Sequence, residues 1–333
     1  MGITKRTHSN PCFWTALWNK QYYENFVSGG ETLSARKQKV FSLNVKANKI
    51  IETTVDNVHF DKLLGISEIT HENAKNFCKK YFPQKFEQVS KEIEKNPETL
   101  YLDFESIWTK IEEKFGYKTL LKVIKNQKIE NKEEKLDLTF FITIQNLRSH
   151  AIISSMIEFS EMIGEPKYEY YIQLKHMISN PDFLFSLVAP LLFSQWIIYV
   201  ADEHTFPLPD TPILVNAQNI MIALSPRMLL EINLNEQASE YSWIQKVLSA
   251  SKLEEYRKRC ISNTFKEIIF DRKDVLEAWM YQSEFIRRVN IIAEQKSFNV
   301  MVKQEPDREL WKINAFGNLE NDNRKRRRHR KTK

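Results

Sequence analysis

The sequence predicts an α+β fold: a helix-rich body with an N-terminal strand and hairpin packed against a small late β-sheet. Three patterns carry that expectation. Apolar residues alternate through "QKVFSLNVKANKIIETTVDNVHF", recur every three or four residues through the middle of the chain, and mix with prolines after Thr205. The expected organisation is one globular domain over 1–320, with strand and hairpin at 8–60, a helical body at 70–203, a strand segment at 205–234 and C-terminal helices at 240–295. A disordered basic tail is expected over 321–333.

The chain opens on "THSNPCFW", unusually apolar for a terminus. A chain end of that composition must be tied down against something, which would hold His8 in a fixed place. Trp14 and Trp18, four residues apart, read either as a surface for stacking bases or a partner, or as side chains docked into the core. Val40, Phe41, Leu43 and Val45 run through "KANK" to Ile50, Ile51 and Val55, which is strand, turn, strand. Thr70 then caps a helix punctuated by Pro83 and Pro97. Phe104, Ile107, Trp108, Ile111 and Phe115 make one stripe on the next helix. Leu136 to Ile152 supply another, with Arg148 one residue beyond its apolar face.

After the linker "GEPKYE", one helix is expected before Asn180-Pro181 and a longer one after it. The prolines among "TFPLPDTPILVNAQNIMIALSPRMLLEINLN" fit starts and edges of three short strands, because proline lacks the N–H that a sheet ladder needs. Helices return in "QKVLSASKLEEYRKRCISNTFKEIIFDR" and "VLEAWMYQSEFIRRV". "FNVMVKQ" and "ELWKINAF" are expected to pair as closing strands.

At 333 residues, 42% hydrophobic and 12% aromatic, the chain has ample material for a core. Only seven glycines are present, and neither GxGxxG nor GxxxxGK[ST] occurs, so phosphate-cradling loops of those kinds are excluded. Cys12, Cys78 and Cys260 are scattered and odd in number, which points to a reducing cytoplasm rather than a disulfide framework. The N-terminus lacks the apolar run of a secretory signal, and Arg6 stands where a myristoylation motif places Ser or Thr. The run Phe183 to Ala201 contains Pro190, Ser194 and Gln195 and lacks basic flanks, so a buried core helix is expected there and no membrane partner. Net charge is +6, yet "RKRRRHRKTK" alone holds eight basic residues, which leaves −2 on the rest. Arg324, Lys325, Arg326, Arg327, Arg328, Arg330 and Lys331 are the expected nucleic-acid contacts, unless the run only solubilises the chain.

Three residues stand out as candidates for chemistry. A neutral imidazole at His8 suits a general base or a metal ligand, or it is an inert strand residue. Asp210 lies in a segment stiffened by Pro209 and Pro212, suited to orienting a base, binding metal, or capping a turn. Arg148 offers a planar fork to a phosphate or carboxylate, or pairs with an internal acid. His59 and Asp61 alternate on an expected strand and form an auxiliary pair. His71-Glu72 lacks the second histidine of HExxH, since residue 75 is Lys. No serine elbow and no paired-cysteine deaminase signature occurs.

"PLPDTPILVN" followed by "IMIALSPRMLLEI" resembles the late signature of the mainly bacterial family called domain of unknown function 4238, an Asp-x-Pro-Val strand and then Leu-Ser-Pro. His8, Pro11, Phe13, Trp14 and Trp18 are similar to its opening His-His-Tyr-Val-Pro-x-Phe-Tyr-Leu signature. Thr7 and Pro209 depart from it, where the family has histidine and serine. The resemblance extends to about Arg272, and the expected docking of the N-terminal strand on the late strands would carry His8 toward Asp210 and Arg148. The expectation is then a hydrolase acting on nucleic-acid phosphodiesters, with His8 as acid or base, Asp210 orienting it or holding a divalent metal, and Arg148 binding an anion. The alternative is a noncatalytic nucleic-acid-binding or interaction protein that uses the basic tail. Cofactor identity and oligomeric state stay open.

Overall fold

β1 (Arg6–His8) leads through Pro11 into the short α1 (Cys12–Thr15) and then α2 (Lys20–Ser28). Asn19 caps α2 by accepting the Tyr22 N–H at 2.8 Å, and Gly29 ends it in the left-handed conformation, φ 76°. The computed structural model describes residues 6–8, 10–31, 33–62, 66–95, 100–103, 117–164, 180–239, 242–294, 311–314 and 319–321. The hairpin forms as the alternation requires. β2 (Lys39–Asn44) and β3 (Lys49–Thr54) pair antiparallel with Val40 opposite Thr53, and the turn residue Asn48 takes a positive φ of 46°.

β4 (Phe60–Lys62) pairs antiparallel with β1. β5 (Ile66–Ile69) precedes α3 (His71–Tyr81), whose N-cap Thr70 accepts from the Asn73 N–H at 3.2 Å. α4 (Phe86–Lys95) and β6 (Leu100–Asp103) follow, β6 antiparallel to β5. The stripe from Phe104 to Phe115 lies outside the described residues. α5 (Tyr117–Asn126), α6 (Lys132–Leu147) and α7 (His150–Met162) build the helical middle. The stretch expected as one helix is two, because Arg148 terminates α6 as its C-cap. The segment expected as a helix before Asn180 is also outside the described residues.

α8 (Pro181–Leu192) starts as expected, with the Asn180 side chain accepting from the N–H groups of Asp182 and Phe183. The expected longer helix stops there. Ser194–Val200 is a strand, β7, so the helical body does not extend to residue 203. The reason is two-sided burial: Trp196, Ile197, Ile198 and Tyr199 are all buried in succession, which erases the alternation that marks a half-exposed strand. Four strands, not three, follow: β8 (Leu208–Pro209), β9 (Leu214–Val215), β10 (Asn219–Ser225) and β11 (Met228–Gln237). β12 (Trp243–Val247) is an exposed edge strand parallel to β7, in a stretch expected to be helical. α9 (Ala250–Asn263), β13 (Glu267–Phe270), α10 (Lys273–Met280) and α11 (Ser283–Glu294) complete the body. β14 (Trp311–Asn314) pairs with β15 (Leu319–Asn321) and, in parallel, with β6, while "FNVMVKQ" lies outside the described residues. So does 322–333, and the expected tail boundary at 321 falls inside β15.

The strands form sheets in the orders β1-β4, β12-β7-β11-β10-β9, β3-β2-β13-β8 and β15-β14-β6-β5. The fold is α+β. One hydrophobic cluster joins Trp14 and Trp18, the hairpin, α5, α6, the late strands and α9 to α11. Among the described residues no helix is long and apolar enough to cross a membrane. Lys135, on α6, is fully buried, donates to the carbonyls of Ser194, Ser239 and Ser242 at 3.1 to 3.3 Å, and stands over the Trp196 ring. It ties α6 to the start of β7 and to the loop before β12.

Candidate functional site

The opening motif is docked by its own side chains. Trp14 and Trp18 are fully buried, and their indole N–H groups donate to Leu224 O at 2.8 Å and Phe206 O at 2.6 Å. Asn10 donates from Nδ2 to Pro209 O at 3.0 Å. His8 is thereby held inside, 7% exposed, with Nδ1 3.2 Å from Val58 O and Nε2 3.9 Å from Asp56 Oδ1. Burial and the charge of Arg36 pull its pKa down to about 4, Arg148 adds to the fall, and Asp56 and Val58 oppose it. The ring is neutral at pH 7. Cys12 begins α1 beside it, its thiol pKa raised by burial. Arg36 Nη1 binds Asp56 Oδ1 at 3.0 Å, and ligand atoms of His8, Cys12 and Asp56 lie within 4.8 Å of one another.

His8 and Arg148 fall within electrostatic reach, but the carboxylate in ion-pair range of His8 is Asp56. Asp210, 2% exposed, accepts through its two oxygens from the backbone N–H groups of Phe265 (3.1 Å) and Lys266 (2.8 Å), where the chain turns from α9 into β13. Prolines on either side hold the carboxylate on that turn. It is a cap, as the Asp-Pro pattern also allowed. Arg148 is 5% exposed, placed by the end of α6. His59 is not on a strand: it precedes β4 with φ 51°, donates its backbone N–H to Glu267 Oε1 at 2.6 Å and sets Nδ1 2.8 Å from Asn10 Nδ2. The Asp61 side chain, like the tail from Arg324 to Lys331, lies outside the described residues.

A separate pair borders a cleft. His204, in the loop after β7, places Nδ1 2.5 Å from Asp271 Oδ2, just past β13, and its ring meets Tyr23 of α2 edge-on at 5.0 Å. All three line this space, about 670 Å³ between α2 and the ends of the late strands. Both side chains of the pair are more than nine-tenths buried, yet the Tyr23 hydroxyl and Asp271 Oδ1 have no hydrogen-bond partner among the described residues. The wall carries both signs of charge. Lys20 lies 3.9 Å from Glu24, and Arg272 is paired with Asp274 at 2.8 Å. Arg227 donates through Nε to Ala201 O and has no carboxylate partner among the described residues.

The chain matches no family model, no curated protein and no solved structure.

The His204–Asp271 pair escapes a reading of the sequence because 67 positions separate its members. "ADEHTFP" and "IFDRKD" contain no spacing that links them. The local signal was the position of each just beyond a buried strand, where loops present side chains to solvent. Chemically, a carboxylate on Nδ1 fixes the ring's orientation and tautomer and stabilises its protonated form, as a general base requires.

Proposed function

We propose that this cleft is the hydrolytic site for an ester carrying negative charge, with nucleic-acid phosphodiesters as the substrate class. The hydrogen bond between His204 Nδ1 and the Asp271 carboxylate carries the reading. With its Nδ1 proton directed to Asp271, the neutral ring keeps its lone pair on Nε2, which takes a proton from water. The water oxygen attacks the ester centre and the bond to the leaving oxygen breaks. The imidazolium then returns its proton to that oxygen, so that one water is consumed and an acid and an alcohol are released. Asp271 stabilises the imidazolium, and the Arg227 fork holds the anionic group.

Support for nucleic acid is the run of eight basic residues in the last ten, which attracts polyanions through counterion release. The likeness to domain of unknown function 4238 belongs to the same proposal, on the order of its motifs, as does a cytoplasmic setting in which the three cysteines stay thiols. The test is turnover of labelled RNA and DNA and of bis(p-nitrophenyl) phosphate by the full chain, beside His204→Gln. A loss of about 10²-fold or more in kcat is expected, with the unfolding midpoint kept. Equal turnover by the variant removes the cleft from the chemistry, and tail-dependent binding without turnover would leave a noncatalytic nucleic-acid-binding protein.

A further inference from the structure

The cluster around His8 offers a different chemistry from the cleft and shares no residue with its lining. A ring nitrogen, a thiol and a carboxylate come from three separate segments: β1, the start of α1 and the turn after β3. One ligand atom of each lies within 4.8 Å of the other two. Tetrahedral zinc, with bonds of about 2.0 to 2.3 Å, sets its ligand atoms roughly 3.5 Å apart. Drawing this group onto a metal therefore needs shifts of about 1 Å. Cys12 and Asp56 are partly exposed and can supply them.

Two further contacts match the outer support that such ligands receive. Histidines that bind metal through one nitrogen direct the other N–H to a carbonyl or carboxylate, which fixes the ring. Val58 O can only accept, so its contact with His8 Nδ1 at 3.2 Å places the proton there and the lone pair on Nε2, the nitrogen nearest Asp56. Carboxylate ligands are themselves hydrogen-bonded, and Asp56 Oδ1 accepts from Arg36 Nη1 at 3.0 Å.

We propose that His8, Cys12 and Asp56 form a three-ligand site for a divalent transition metal of zinc's class, with the fourth position open to an anion. The metal displaces the Cys12 thiol proton, which passes to solvent, and a metal–thiolate bond forms. Metal, thiolate and carboxylate then sum to no net charge, while Arg36 and Arg148, both close enough to act on His8 and Cys12, remain cationic. The field of these two guanidinium groups favours a negatively charged fourth ligand, hydroxide or a phosphate oxygen, over neutral water. A hard cation such as Mg²⁺ is disfavoured by the sulfur and by the same two guanidinium groups.

The test is titration of chelator-treated full-length protein with Co²⁺, read by absorption. One equivalent is expected to give the bands of a tetrahedral ion together with a thiolate-to-metal charge-transfer band. Zn²⁺ should abolish both, and inorganic phosphate should shift the former. Cys12→Ser should lose the charge-transfer band and Asp56→Asn should weaken binding, whereas His204→Gln should bind Co²⁺ as the native chain does, even if it ends turnover in the cleft. Without any substitution, Zn²⁺ should slow alkylation of Cys12. A titration with no sulfur band, alkylation indifferent to Zn²⁺, or Cys12→Ser binding Co²⁺ unchanged overturns the site. Bands indifferent to phosphate and to pH overturn the anionic fourth position.

Discussion

His59 shows how one residue can be legible in composition and hidden in role. Its backbone takes a positive φ, its N–H reaches Glu267, and its ring, 1% exposed, is pulled down to a pKa of about 3, chiefly by burial and further by the charges of His8 and Lys266. An unfolded histidine titrates near 6.5. Because the folded value is lower, the unfolded chain binds more protons between the two values. The contribution is therefore complete above about pH 6.5 and declines as pH falls from there through about 3, by up to about 1.4 kcal/mol per pH unit. Urea unfolding of metal-free protein at pH 7.5, 6 and 5 should show that slope. His59→Asn, which tolerates the same backbone region, should remove about half of it, the remainder coming from His8, whose pKa is also lowered, to about 4. Asp210 is the converse case: its flanking prolines announced rigidity, but only the fold says that the rigid carboxylate serves two amides of a neighbouring turn. His8 was legible as a held residue from the apolar composition of its segment. Its carboxylate partner was not, because Asp56 lies on a short turn with no pattern of its own.

Elements were readable wherever one face meets water. The hairpin of β2 and β3 alternates, and α3 carries both a stripe and a cap, so periodicity located them. β7 is sandwiched between β11 and β12 and buried on both sides, and β12 is an exposed edge, so neither shows the half-buried alternation of a strand. The grip of α6 on these two strands was invisible for another reason: lysine is ordinarily a surface residue, and Lys135 is an interior one. Its ammonium satisfies three carbonyls where strand and loop begin. Lys135→Met keeps the stem's volume and removes those bonds. It should lower unfolding free energy by about 3 kcal/mol in a denaturant titration, and a change below a few tenths would mean the carbonyls find other donors.

For the whole molecule, charge is segregated: the chain before the tail sums to −2, and the last ten residues carry eight cations. Deleting 324–333 should therefore weaken binding to RNA and DNA and make its salt dependence shallower, by about 0.9 in log–log slope for each duplex phosphate that the tail no longer neutralises. Hydrolysis of a small uncharged-leaving-group ester in the cleft should be untouched. Fluorescence anisotropy across a range of KCl concentrations separates the two. Unchanged affinity and slope would show that the basic run meets no polyanion.

Trp14 and Trp18 hand their indole protons to carbonyls of Leu224 and Phe206, which lie 210 and 188 positions further along. A ribosome therefore delivers the two donors long before it delivers their acceptors. During most of synthesis the start of the chain carries large aromatic surfaces whose hydrogen-bond acceptors do not yet exist. The native arrangement closes only after about two-thirds of the polypeptide has emerged.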